Sequence, residues 1–293
     1  MGRTPRLLAY GIHFGKAPRW RDGRLWFSDF HGHAVRSVSL EGDLRTELEI
    51  DDRPSGLGWA PDGSMLIVSA TKRQILRRAP DGAVSLHADL SHISESHCYD
   101  MVVDSRGGAY VGNFGLDVAP AVEARGLVGV LTQHPTTCIT YVAPDGTVRV
   151  VAEEMHFPNA FVITPDGKTL IVSETLAGVL TAFDIGDDGG LSRRRVWAAI
   201  GKSRTPCGIA LDADNAVWVA EPIASECLRI AEGGEVLERV ATEEPCYSCI
   251  LGGEDGRILF ILTATSWEAE RTSQARNGLV LMADVDSPAA GRP

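Results

Sequence analysis

Residues 61–69 read PDGSMLIVS, a Pro-Asp-Gly turn followed at once by an apolar, β-branched run that closes on a small polar residue. Asp-Gly marks a tight hairpin turn because glycine takes positive φ without steric penalty. Met-Leu-Ile-Val directly behind it is the composition of buried sheet. The same unit recurs as RDGRLWFSD (21–29), SRGGAYVGN (105–113), PDGKTLIVSE (165–174), ADNAVWVAE (213–221) and EDGRILFIL (254–262). The turn residues Gly23, Gly63, Gly107, Gly167, Asn215 and Gly256 are spaced by 40, 44, 60, 48 and 41 positions. A four-stranded propeller blade needs about 40–50 residues, so only the third interval is long.

Working outward, a second turn follows in most units: LEGD at 40–43, APDG at 79–82 and 143–146, DDGG at 187–190 and AEGG at 231–234. Another apolar run precedes the first turn, as in SGLGWA, DMVVD, AFVIT and GIALD. Each unit thus reads as inner strand, turn, second strand, loop, third strand, turn, outer strand. Six of them fill residues 1–293, which predicts one all-β domain, a six-bladed β-propeller with four-stranded antiparallel blades. The sixth unit offers only three strands, ending in GLVLMADV, so the run Arg6–Ile12 is expected to supply the fourth and close the ring. A helical solenoid is disfavoured, because 3.6-residue periodicity is weak and turns come too often.

A net charge of −11 gives no general attraction to phosphate backbones or anionic lipid. Nucleic acid and membrane are therefore not expected partners; a small molecule is, with the protein a monomer or homodimer. No long apolar stretch and no signal-peptide pattern is apparent, which makes the cytoplasm the expected compartment. The six cysteines are read as reduced thiols, since a chain of this size buries its own core without disulfides. The PCYSC pair has no second pair to complete a zinc site and reads as packing. His31 and His33 look like a metal pair but sit in a loop where capping the turn is the plainer role. The tryptophans read as core. The insert 114–135, which accounts for the long interval, is expected to form a lid or a dimer contact.

The repeat also indicates what faces the channel. Eight residues before the turn residue lie Ser55, Tyr99, Asn159, Cys207 and Ser248, and seven before the shorter first turn lies Lys16. These positions are quasi-equivalent and should ring the channel mouth. The second strands return to that mouth carrying Asp29, Asn113, Glu174 and Glu221. A ring of convergent polar groups on a rigid frame is where a ligand is expected.

The segments FGKAPRWRDGRLWFSD, RPSGLGWAPDG, YDMVVDSRGGAYVGNFG, FPNAFVITPDGKTLIVSET, TPCGIALDADNAVWVAEP and CILGGEDGRILF resemble the senescence marker protein, gluconolactonase and luciferin-regenerating enzyme family along nearly the whole chain. The resemblance implies a six-bladed propeller that uses one divalent cation to hydrolyse sugar lactones and related esters. It also implies cation ligands: a Glu opening the first blade, an Asn in an FPNG motif and an Asp in the fifth blade, with an Asn of the third blade contacting substrate or bridging water. Here those positions hold Lys16, Asn159 (followed by Ala160), Cys207 and Tyr99 (followed by Asp100).

A hard cation wants several oxygen ligands including carboxylates, and an ammonium in place of one opposes it. The sequence therefore predicts metal-independent isomerisation, cyclisation or hydrolysis of a carbonyl, lactone or ester-like substrate. Lys16 is its cation or imine-forming amine, Tyr99 its acid or hydrogen-bond donor, Cys207 its nucleophile or base, made more acidic by the ammonium, and Asp100 a supporting carboxylate. Ser55, His97, Asn113, Asn159, Glu174, Glu221 and Ser248 are the expected substrate contacts, and no cofactor is expected. Three alternatives stand beside this: a conventional lactonase using calcium or magnesium, a zinc site using Cys207 with Asn159, His97 or Cys98, and a propeller that binds a ligand without turnover.

Overall fold

The turn residues Gly23, Gly63, Gly107, Gly167, Asn215 and Gly256 all have φ between +62° and +91°, and each joins two antiparallel strands as the repeat requires. The structure, a computed structural model, describes residues 3–291. Its strands form six four-stranded antiparallel sheets, five of them consecutive in sequence. The inner strands are Gly15–Arg21, Pro54–Trp59, Cys98–Val103, Pro158–Ile163, Ile209–Leu211 and Cys246–Gly252, in blades 1 to 6 respectively. In the sixth sheet, Arg6–Ile12 pairs with Gly278–Asp284, so the N-terminal strand is the outer strand of the last blade and covers the edge of Gly278–Asp284.

The apolar faces of neighbouring blades pack on one another rather than on a single centre. Leu66, Val68, Met101, Val103 and Val111 fill the space between blades 2 and 3, and Val162, Ile171, Leu211, Val217 and Val219 that between blades 4 and 5. Trp20 stacks on Phe260 with ring centroids 5.2 Å apart, joining blades 1 and 6. Across the channel, the buried Arg19 guanidinium donates to Leu57 O (2.9 Å), Met101 O (2.6 Å) and Asp100 Oδ1 (3.0 Å), tying three inner strands together. At the end of the ring that carries the first turns, Ala213 N donates to Pro288 O (2.8 Å) and Ala290 N to Leu211 O (2.9 Å), which lays the C-terminal segment across blade 5.

At the other end, five inner strands break ladder register near their starts: between Lys16 and Arg19, Pro54 and Leu57, Cys98 and Met101, Pro158 and Ala160, and Cys246 and Ser248. Irregularities of this kind re-aim side chains beside functional sites. In blade 5 the same place is held by Cys207, followed by Gly208, where a Cβ would stand 2.6 Å from Ser248 Cα. Only glycine allows blades 5 and 6 to approach that closely next to Cys207. The insert in blade 3 folds as a helix, Val118–Thr132, kinked at Gly126 (φ +68°, ψ 163°). No helix among the described residues is long and apolar enough to cross a membrane.

Candidate functional site

The re-aimed ends of the inner strands open into a cavity of about 230 Å³ at the channel mouth. Its floor holds Tyr99, Asn159 and Cys207, three of the six ring positions read from the repeat. Its walls are aromatic. Tyr99, Phe114 and Phe157 form a triad with centroids 4.5–5.3 Å apart, and Phe14 lies 4.8 Å from Tyr247 in an edge contact. Phe30 bridges the two groups, 6.3 Å from Phe14 and 6.1 Å from Tyr99. The helix Val118–Thr132 lines the cavity with Val118, Val122, Leu127 and Val130. Among ordinary cavity contacts the polar ones are few: Asn159, Thr175, Thr205, Cys207 and the two tyrosines.

Lys16 sits behind this floor and is 2% exposed. Its amino group donates to Tyr247 O at 3.0 Å and lies 4.8 Å from the Tyr99 ring centroid and 5.7 Å from that of Phe14. Burial pulls its pKa below the ordinary lysine value, while negative charge at Cys207 and Asp100 pushes the other way. Asp100 is already engaged by Arg19 at 3.0 Å, and no carboxylate forms an ion pair with Lys16 among the described residues. Burial likewise holds the Tyr99 hydroxyl well above its usual range.

Several expected contacts are placed elsewhere. Burial raises the Cys207 thiol to about 11, with Lys16 and the Asn159 amide only partly offsetting it. The ammonium thus does not make it a ready thiolate, and a nucleophile-or-base role loses its footing. Asp100 does not line the cavity; it accepts Met101 N at 2.8 Å as well as Arg19. The second-strand residues turn away to hold backbone amides. Asp29 Oδ1 accepts His13 N and Phe14 N (2.9 and 3.0 Å), Glu174 accepts His156 N (2.8 Å), and Glu221 accepts Thr205 N (3.0 Å) and Ala224 N (2.8 Å). Asn113 accepts Gly115 N (3.0 Å) and donates to Cys138 O (3.1 Å). Asp29, Glu174 and Glu221 fasten the loops that enter blades 1, 4 and 5, Asn113 fastens the segment that follows its own strand, and none of the four lines the cavity.

Ser55 and Ser248 belong to the buried ring without lining the cavity, and the Ser55 hydroxyl has no hydrogen-bond partner among the described residues. His97 packs edge-on against Phe114 at 5.9 Å, outside the cavity lining. Cys98 is buried among the aliphatic side chains between blades 2 and 3, its thiol pushed to about 12. A zinc site of Cys207 with His97 or Cys98 therefore does not assemble, and among the described residues no three His, Cys, Asp or Glu side chains converge on a metal position. His31 stacks on Phe14 at 5.1 Å and is held at about pKa 3 by burial and the Arg53 charge; His33 faces Asp52 O at 2.9 Å. Cys246 and Cys249 hydrogen-bond the carbonyls of Glu226 (2.8 Å) and Gly208 (3.5 Å), as packing residues do.

Residue reasoning missed the aromatic walls. Phe14, Phe30, Phe114, Phe157 and Tyr247 each stand within two positions of a ring residue or of a second-strand end, a proximity that would have found them. Trp267 lies outside the strands and lines the cavity, against the expectation of core packing for the tryptophans.

Comparison with known proteins agrees with this frame. Regucalcin of Danio rerio is 25% identical over 259 residues, covering 85% of this chain and 82% of that protein. A luciferin-regenerating enzyme superposes with a TM-score of 0.79 at 17% identity, covering 98% of both chains. A gluconolactonase from Xanthomonas campestris superposes at 0.72 and 20% identity, covering 96% of this chain and 90% of that one. The model of the SMP-30/Gluconolactonase/LRE-like region matches residues 14–265, and the chain belongs to that family.

Proposed function

We propose that the protein is an enzyme acting on a small carbonyl compound, a lactone or ester in the first instance, with Lys16 supplying the positive charge for which its family uses a cation. The observation that carries this reading is the Lys16 amino group, buried behind the cavity floor with no carboxylate partner of its own. Whether the residues present suit the family's cation is decided by their chemistry. Calcium, magnesium or manganese requires several oxygen ligands with carboxylates among them. The donors here are an amine, a phenol, a carboxamide and a thiol, and Asp100, the carboxylate whose charge acts on Lys16, is held by Arg19. Zinc would accept a thiolate, but Cys207 is strongly disfavoured as one and no imidazole joins it. The residues do not fit a resident divalent cation, and no step is routed through one.

The chemistry then follows from charge and position. As a nucleophile adds to a carbonyl, or a proton leaves the adjacent carbon, negative charge builds on the carbonyl oxygen. A fixed positive charge in a water-poor, low-dielectric site stabilises it without reorganisation. Asn159, Tyr99 and the protonated Cys207 thiol are the hydrogen-bond donors at the floor, and developing negative charge there favours the protonated form of Lys16. Water is the nucleophile for ring opening, because the thiol stays protonated near neutral pH; its oxygen bonds to the carbonyl carbon, the ring C–O bond breaks, and the proton that water loses ends on the departing alkoxide oxygen.

The test is a panel of lactones and aryl esters with wild type, Lys16→Met and chelator-treated protein. Wild-type turnover should survive the chelator, and Lys16→Met should lose about 10²-fold or more, the loss seen when one oxyanion-stabilising group is removed. Turnover that persists in Lys16→Met, or that the chelator abolishes, contradicts the reading. Release of a bound ligand unaltered, with no turnover of any member, would favour a binding role instead.

A further inference from the structure

Gluconolactone and its kin are covered in hydroxyl groups, and each hydroxyl buried without a partner loses its hydration uncompensated. The cavity here offers such a molecule almost nothing. Phe14, Phe30, Phe114, Phe157 and Trp267 form its sides, with Val118, Val122, Leu127 and Val130 closing over them. Of its polar lining residues, Thr175 and Thr205 already donate to Pro206 O and Glu221, which leaves Asn159, Cys207 and the hydroxyls of Tyr99 and Tyr247. Glu174 and Glu221, whose carboxylates would hold sugar hydroxyls, are engaged by loop amides and by Arg194 and Arg204. The volume of about 230 Å³ is below the roughly 300–1,000 Å³ typical of drug-sized ligands, so the occupant is compact.

An aromatic cage also suits a cationic ligand, and charge decides against one here. Two of the wall rings, Tyr99 and Phe14, already face the Lys16 amino group at 4.8 and 5.7 Å. Arg53 lies 5.8 Å from the centroid of a third wall ring, Phe30, and Arg19, deeper in the channel, is matched by Asp100. The floor is therefore backed by an amine that, when protonated, favours negative charge above it and repels positive charge.

We propose that the cavity selects a compact aromatic carbonyl compound, neutral or anionic, with its ring between the Phe114–Phe157 and Phe14–Tyr247 walls and its oxygen on the Asn159–Cys207 floor. This rests on the cavity being the substrate site, as argued above, and adds the class of molecule that fills it. Offset and edge contacts with the wall rings hold the flat body. Hydrogen bonds from the floor to a charged oxygen are stronger than those to a neutral one.

The experiment measures binding of three probes to the full-length protein by calorimetry: 1-naphthoate, the shape-matched 1-naphthylmethylammonium, and gluconate. The wild type should bind 1-naphthoate at least tenfold more tightly than the ammonium probe, with gluconate undetectable at millimolar concentration. Lys16→Met should erase the difference between the two naphthyl probes yet keep both ahead of gluconate. Phe157→Ala should weaken both naphthyl probes together. Because the probe contrast is read on unmodified protein, a variant that fails to fold leaves the test intact.

Gluconate binding as tightly as 1-naphthoate overturns the aromatic assignment, and equal binding of the two naphthyl probes overturns the charge assignment. Failure of all three to bind overturns the proposal as well. If sugar lactones are then turned over in a Lys16-dependent manner, the catalytic reading stands without this substrate class. If turnover is indifferent to Lys16, the catalytic reading falls separately.

Discussion

Lys16 is the residue on which the account turns, because a buried amino group costs stability and persists only where something is gained. Its pKa lies below the ordinary value, so the folded state disfavours the proton that the unfolded chain binds. The resulting penalty is fully present below the depressed folded pKa and is relieved as pH rises toward the ordinary lysine value of about 10.4. Lys16→Met should therefore be more stable than wild type by about 1–4 kcal/mol near neutral pH, as when other buried charges are replaced by apolar groups. Melting curves across pH should show the gap narrowing toward pH 10. A variant less stable than wild type at pH 7 would mean that the lysine is a structural support. The position of Lys16 was legible in the sequence from its count back to the turn. The protonation of Cys207 was not, since burial outweighs the neighbouring amine and burial is not written in spacing.

Among elements, the second strand of each blade gave the sequence reading its regularity and also its main error. Alternation and repeat phase bring Asp29, Asn113, Glu174 and Glu221 to the mouth end, but not the direction their side chains take. Backbone amides of the entering loops compete for those carboxylates and win. Glu221→Gln should consequently cost about 1–3 kcal/mol of stability, the range for disturbing a buried hydrogen-bonded group, with KM unchanged. A raised KM at unchanged stability would return Glu221 to the ligand. The helix Val118–Thr132 was legible as an insert and as a candidate lid, not as a helix, because its glycines, Gly126 and Gly129, obscure the period. Val130 is its fully buried anchor, against Phe114 and the aromatic walls. Val130→Asp should lift the lid and raise KM about tenfold or more, since a buried unpaired carboxylate is strongly disfavoured. Its kcat and the main unfolding transition should hold, and an unchanged KM would remove the helix from the binding account.

At the scale of the molecule, the repeat was fully legible. Six turns with the right chemistry at blade spacing defined the ring, and the missing strand of the last unit pointed to Arg6–Ile12, which pairs with Gly278–Asp284 as that count required. Deleting residues 1–12 should open the ring, expose the edge of Gly278–Asp284 and yield aggregated protein, whereas a soluble monomer with an unaltered melting curve would show that closure is dispensable. The chemistry of the mouth is less legible, because it depends on which groups are buried and already paired.

The most direct test of the claim that Lys16 takes the place of the family's cation needs no substrate: metal content by inductively coupled plasma mass spectrometry on protein purified without affinity tag or chelator. Less than about a tenth of an equivalent of any divalent metal is expected, since the water-activating cation has no ligand set here. Close to one equivalent would contradict it, zinc returning Cys207 to the role of ligand and calcium or magnesium restoring the family's usual mechanism.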